Sequence, residues 1–331
     1  MSTHRTTGTT PAIRTRALTK TYGTHRGLSG LDLDVERGEV LGFIGPNGAG
    51  KSTTIRLLLD LLRPTSGTVE VLGQDPRTGG AGLRRRIGYL AGDLVLPERM
   101  TGARVVDLLT TLSGARGDAT VRRRVLDLAE RLDLDLSRPS RTLSKGNRQK
   151  IGIVQAFVHD PELLVLDEPT SGLDPLVQQT FHALVREAAA RGATVFMSSH
   201  IISEVEQTAD RVAVLREGRL IALATVPELR ARSSRHVEVE VDAGAGVGPD
   251  ALAADLALQG AAVRPAVHGG TRVAGEFPGE PADLVARLAA APWRESLRDL
   301  VAEAPDLEAA VLRFYAPSSA ADRQPGEQVP A

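Results

Sequence analysis

Residues 38 to 62 constrain the fold more than any other stretch. "GEVLGFIG" reads as a short buried strand running into a glycine-rich turn, and "KSTTIRLLLDLL" follows five residues later with a helical apolar face. The same alternation returns further on. "ELLVLDEP" reads as a strand, "LVQQTFHALVREAAARG" as a helix and "ATVFMSSH" as a strand. Strands alternating with helices predict a parallel α/β sheet. "LSGLDLDVE" alternates apolar and polar residues, the pattern of a half-buried strand, and "RVAVLREGRLIALAT" predicts a hairpin turning at Glu217-Gly218.

A chain of 331 residues is long for one ordinary domain, and 42% hydrophobic residues can build real cores. Residues 1–11 are Thr-rich and read as a loose tail. A main domain is expected over 12–232, with a mostly helical block over about 93–158. "ELRARSSRH" reads as a linker. A smaller unit over 233–315 starts with the strand "HVEVEVDA" and ends with the helix "DLEAAVLRFY". Residues 316–331 have a disordered composition.

The turn itself carries chemistry. "GPNGAGKST" fits G-x-x-x-x-G-K-[ST] with Gly45, Gly50, Lys51 and Ser52. Glycines let successive backbone N–H groups face one concavity, and the following helix adds its positive N-terminal end. Lys51 reaches toward β- and γ-phosphates, and the Ser52 hydroxyl is a ligand for Mg²⁺. "LLVLDEPT" puts Asp167 and Glu168 at the end of a buried strand. A strand ending in Asp, combined with a phosphate loop, suits metal coordination, and Glu168 stands where it could activate a water. His200 ends another strand, and parallel sheets place their ligands at such carboxyl ends.

Composition excludes several other classes. A formal net charge of -1 argues against a nucleic-acid binder working through a broad basic face. The chain has no Cys, so thiolate nucleophiles, disulfides and Cys-ligated metals are out. No run of 18 apolar residues occurs and the first residues lack an apolar signal core, so a cytoplasmic chain is expected.

"LSKGNRQK", residues 143–150, opens a helix oddly. Ser144 is a natural N-cap. Gly146 is not a natural choice inside the first turn, where Gly costs roughly 1 kcal/mol against Ala. This stretch and the motifs above resemble the nucleotide-binding subunit of an ATP-binding cassette (ABC) transporter. "GPNGAGKST" is similar to the Walker A loop, so Gly45, Pro46, Asn47, Gly48, Ala49, Gly50, Lys51, Ser52 and Thr53 are expected on ATP. "LLVLDEP" is similar to the Walker B strand, "SGLD" with Asp174 to the D-loop, His200 to the switch histidine and "LSKGNRQK" to the signature. Tyr22 in "LTKTYG" sits where the family stacks an aromatic ring on adenine. The resemblance covers about residues 12–230, and its spacing agrees: Lys51 and Ser144 stand 93 residues apart, room for the helical block.

The resemblance implies a P-loop cassette with a RecA-like parallel-sheet core, an antiparallel β subdomain and a helical signature subdomain, followed by a small α+β domain. It implies ATP and Mg²⁺, with Ser52 and Asp167 on the metal and Glu168, His200 and Lys51 in catalysis. It implies a head-to-tail dimer, each ATP gripped by Walker A of one copy and by Ser144 and Gly146 of the other. The signature form "LSKGNRQK" resembles the subgroup serving separate permeases of the ABC-2 type, including drug and antibiotic exporters, which places the chain on the inner face of the cell membrane. Other ABC-2 cargoes (lipid, polysaccharide or peptide) are the alternative. Rival soluble roles fit less well. Ribosome-acting ABC proteins carry two cassettes in tandem, DNA-repair ones need a long coiled-coil insertion, and a scaffold would show a crippled site. Gly146 is expected to tolerate bulk without loss of fold. One departure stands out: the family's Q-loop glutamine is replaced at its place after "IGYL" by Gly92, beside Asp93.

Overall fold

A computed structural model describes residues 10–112, 118–231, 234–264, 266, 269–303 and 307–315. Residues 1–9 and the tail expected at 316–331 lie outside them. The chain divides into two compact units, Met1–Val226 and Pro227–Ala331.

The first unit runs β1 (Ile13–Tyr22), β2 (His25–Val35), β3 (Val40–Ile44), α1 (Lys51–Leu58), β4 (Ser66–Val71), α2 (Gly80–Arg84), β5 (Ile87–Leu90), α3 (Gly102–Leu112), α4 (Ala119–Arg131), α5 (Lys145–Phe157), β6 (Leu163–Asp167), α6 (Pro175–Ala190), β7 (Thr194–Ser199), α7 (Ile202–Glu206), β8 (Arg211–Arg216) and β9 (Arg219–Thr225). Six strands form one sheet in the order β5-β6-β7-β3-β8-β9. All its pairs are parallel except β8 with β9. Strands β3, β6 and β7 are buried from end to end, as strands of a parallel sheet covered on both faces must be. The β8–β9 hairpin closes with Arg216 opposite Arg219. Both residues between them, Glu217 and Gly218, have positive φ (50° and 74°), the geometry of the two-residue turn whose twist matches its strands.

A second, antiparallel sheet has the order β2-β1-β4. Its inward residues Ile13, Leu31, Leu33, Val35 and Val71 join Leu41, Phe43, Ile55, Leu57 and Phe196 in one core. Within that core the rings of Phe43 and Phe196 lie 4.9 Å apart. Helices α3, α4 and α5 fill the stretch between β5 and β6, and α5 buries Ile151, Ile153, Val154, Ala156 and Phe157.

Register decides where the chemistry gathers. Ile44 pairs with Ser199 across β3 and β7, and Asp167 pairs with Ser198 across β6 and β7. The carboxyl ends of three neighbouring strands therefore finish level, beside the loop that enters α1.

The second unit opens with α8 (Val226–Ala231), whose first residue is the last of the first unit, and runs β10 (Arg235–Val241), α9 (Pro249–Asp255), β11 (Gln259–Arg264), β12 (Thr271–Phe277), α10 (Pro281–Ala290), β13 (Leu297–Glu303) and α11 (Leu307–Tyr315). Its sheet has the order β11-β12-β10-β13, with every pair antiparallel. This is the split βαββαβ arrangement. Val237, Val239, Val241 and Val273 alternate with polar residues and pack on Leu252, Leu256, Leu284 and Trp293. The indole of Trp293 donates to Asp255 at 2.8 Å.

Candidate active site

The loop between β3 and α1 is a backbone concavity. Gly48 and Gly50 have φ of 82° and 108°, conformations that a side chain would strain. Ala49 N–H donates to the Pro46 carbonyl at 3.1 Å, and the Ala49 carbonyl accepts from Gly218 N–H at 2.9 Å. The hairpin turn thus clamps the loop from behind. Lys51 begins α1 and is buried. Its Nζ donates to the Gly45 carbonyl at 2.6 Å and lies 3.3 Å from Oε1 of Glu168.

The acids sit at the end of β6. Asp167 is buried, and its Oδ1 accepts from Ser198 at 2.6 Å and from Ser52 at 3.4 Å. Glu168 has φ of 48°, a left-handed conformation that costs a non-glycine residue of order 1–3 kcal/mol. Its N–H donates to both the carbonyl and the hydroxyl of Ser198, each at 3.2 Å. Its Oε2 stands 2.5 Å from Nδ1 of His200. These groups open on one cavity of about 550 Å³, lined also by Pro46, Asn47, Gly48, Gly50, Thr53 and Lys145. Tyr89 stands in its wall. Burial, with Asp167 adding, pushes its hydroxyl's pKa up and keeps it a proton donor.

Ser52 and Asp167 offer a hydroxyl and a carboxylate on one side of this cavity, the hard oxygen donors that Mg²⁺ takes. Among the described residues no group of three or more His, Asp or Glu could hold a metal. The remaining positions of an octahedral shell would then fall to phosphate oxygens and water, the usual division for Mg²⁺ at a nucleotide.

Other expected residues stand apart from the cavity lining. Gly45 and Ala49 support the loop from beneath: Gly45 backs on the Leu215 carbonyl, and Ala49 is buried. Tyr22 ends β1 half exposed, with the Lys20 ammonium 5.4 Å from its ring. It meets the cavity's rim through Gly27, where an added Cβ would come within 2.7 Å of the ring. Ser144 caps α5, accepting from Asn147 N–H at 3.2 Å. Asp174 caps α6, accepting from Leu176 and Val177 N–H at 3.1 Å each.

Gly146 corrects one expectation. A Cβ there would lie 2.4 Å from the Gly172 carbonyl of the same chain, so bulk cannot be added without moving the 171–174 turn. Next to it, Lys145 donates to the Ser171 hydroxyl at 2.8 Å. The odd "Lys-Gly" of the helix start is thus fitted to its own chain's turn. Gly92 is likewise packed: a Cβ there would stand 3.3 Å from the Asp167 carbonyl and 3.5 Å from its carboxylate.

Sequence reasoning passed over two residues. Gln149 is buried and donates to the carbonyls of Glu168 (3.2 Å) and Pro169 (3.0 Å), tying α5 to the strand end. Ser198 bridges both acids. The available signal for Ser198 was a pair of serines closing an otherwise apolar strand.

A glycine cradle at a helix start, with an acid pair and a histidine at neighbouring strand ends, defines a nucleotide-hydrolysing cassette. A family model described as "ABC transporter" matches residues 28–171. The chain is 40% identical over 230 residues to the daunorubicin/doxorubicin resistance ATP-binding protein DrrA of Streptomyces peucetius, covering 69% of each chain. It is 35% identical over 233 residues to the bacitracin transport ATP-binding protein BcrA of Bacillus licheniformis, covering 69% of this chain and 74% of that one. Among solved structures it is similar to an ATP-binding subunit of an ABC transporter, with a TM-score of 0.62 and 33% identity, covering 66% of this chain and 92% of that one. The chain belongs to the ATP-binding proteins of the ABC transporter family. It is an ATPase that serves a transporter, and among the described residues no helix is long and apolar enough to cross a membrane.

Proposed function

We propose that two copies of this chain close head-to-tail on two ATP molecules and drive a separate ABC-2 type permease that exports a hydrophobic, drug- or antibiotic-like compound. The observation that carries this reading is a division of parts. Lys51, Ser52, Asp167, Glu168 and His200 converge on one cavity, whereas Ser144 is exposed and lies outside its lining, which the same helix start reaches through Lys145. A helix N-terminus offers unpaired N–H groups and about half a positive charge, a fit for the γ-phosphate bound by a second copy. The names of the two relatives favour a drug or antibiotic as cargo.

In this reading the loop N–H groups of residues 46–53 hold the phosphates, and Lys51 leaves Gly45 and Glu168 to bind the β- and γ-oxygens. Tyr22 stacks on the adenine. Ser52 and Asp167 hold Mg²⁺, which when bound supplies charge neutralisation between the phosphates. Glu168 takes the proton of the attacking water, and His200 holds its carboxylate in place. Gly146 and Asp174 shape the surface that meets the second copy. Working under a permease puts the chain at the inner face of the membrane.

The test is an ATPase assay of the chain alone and with a candidate ABC-2 type permease, together with gel filtration of Glu168→Gln at saturating ATP. Stimulation by the permease and an ATP-dependent dimer are expected. A Glu168→Gln chain that stays monomeric with ATP bound would overturn the dimer, and an unresponsive ATPase would overturn the coupling.

A further inference from the structure

We infer that Ser198 is a positioning residue for hydrolysis, its one hydroxyl fixing both the metal-side carboxylate of Asp167 and the backbone of Glu168. The inference rests on the roles proposed above for those two acids.

Ser198 is fully buried at the end of β7 and pairs in register with Asp167. Its hydroxyl proton goes to Asp167 Oδ1 at 2.6 Å, while its oxygen accepts from Glu168 N–H at 3.2 Å. Ser52, the other donor to Oδ1, is farther off at 3.4 Å. Ser198 is therefore the tighter hold on the carboxylate. It orients one oxygen, and the other, Oδ2, points toward Gly92, where no side chain intervenes.

The second half of the bridge bears on Glu168, whose φ of 48° is unfavourable unless its surroundings enforce it. Two acceptors on Ser198, the carbonyl and the hydroxyl, share the Glu168 N–H. Removing the hydroxyl leaves a buried carboxylate short of a donor and loosens the strained peptide that aims the base. Ser198 touches neither nucleotide nor water in this scheme. It acts through the two acids.

The experiment measures binding of a fluorescent ATP analogue to the full chain with Mg²⁺ and with EDTA, alongside kcat and KM. Partners of metal-binding groups typically account for 10–100-fold in metal affinity or activity. Ser198→Ala is expected to keep its EDTA affinity, to lose about tenfold of the gain conferred by Mg²⁺, with KM measured in Mg²⁺ rising to match, and to lose about 10–100-fold in kcat. Ser198→Thr, which retains the hydroxyl, is expected to restore both. Ser198→Cys, close in size but a weak donor, makes the same comparison if the alanine chain does not fold. A Mg²⁺ gain unchanged within twofold in Ser198→Ala or Ser198→Cys overturns the inference. Asp167→Asn separates the layers. If it abolishes the Mg²⁺ gain while Ser198→Ala does not, only Ser198's role is wrong. If it leaves the gain intact, the metal role of Asp167 falls and the inference with it.

Discussion

Lys51 and Glu168 neutralise each other across the nucleotide cavity, Nζ standing 3.3 Å from Oε1. In the proposed mechanism one is the cation for phosphate and the other the base for water. Without nucleotide each satisfies the other, so a buried ammonium is never left uncompensated. In the proposed mechanism ATP parts them, and the parting frees the carboxylate as its substrate arrives.

Glu168→Gln removes the base and the ionic hold on Lys51 together. A general base contributes about 10²–10⁴ in rate, so kcat is expected to fall by at least about 100-fold while ATP affinity holds or tightens. Nucleotide binding measured beside steady-state turnover checks both halves. Turnover near that of the native chain would remove Glu168 from the role.

Gly146→Val puts side-chain atoms into the Gly172 carbonyl, which a Cβ alone approaches to 2.4 Å. The 171–174 turn must shift, a kind of overpacking that costs about 1–3 kcal/mol. A lower melting temperature and lost turnover are expected together. An unchanged melting temperature would show that the turn yields freely.

Gln149→Leu deletes a half-buried hydrogen bond to the Glu168 carbonyl and a buried one to that of Pro169. The Glu168 carbonyl keeps the Ser171 N–H at 3.2 Å, so the Pro169 carbonyl is the acceptor left short, at a cost of about 1–3 kcal/mol. Denaturant unfolding should report that loss, and kcat should fall more than KM rises, because the base's own peptide loses a restraint.

Acid should weaken the fold near neutrality through two histidines. Burial chiefly pushes the pKa of His159 and His182 below the ordinary 6.5. His182 donates from Nδ1 to Gln207 at 2.8 Å, and its buried Nε2 has no partner among the described residues, so a second proton there would be stranded. Below 6.5 the unfolded chain binds protons that the folded chain refuses. Stability is thus full above about that pH and declines as pH drops toward the depressed values. Melting temperatures from pH 7.5 to pH 5.5 would trace it, and His182→Asn should flatten the slope. A flat native profile over that window would refute the assignment.

Much of this was legible in local sequence. The strand, glycine turn and helix of residues 38–62 are contiguous, so their geometry follows from neighbours along the chain. The Glu217-Gly218 turn was legible for the same reason. Ser198 and Gln149 were not, because their meaning lies in partners far away: strand register brings Ser198 to Asp167, and helix packing brings Gln149 to Glu168. The antiparallel order of the second unit was hidden too, since its Gly- and Ala-rich stretches carry little periodicity. Gly146 read alone suggested room for a distant phosphate, whereas its nearest neighbour is Gly172 of its own chain.

Gly92 has a consequence of its own. Where a glutamine would place an amide beside Asp167, position 92 offers only its backbone. Any side chain at position 92 would have to begin 3.3 Å from the Asp167 carbonyl and 3.5 Å from its carboxylate, so the absence of a side chain sets how near the loop can come to the acid.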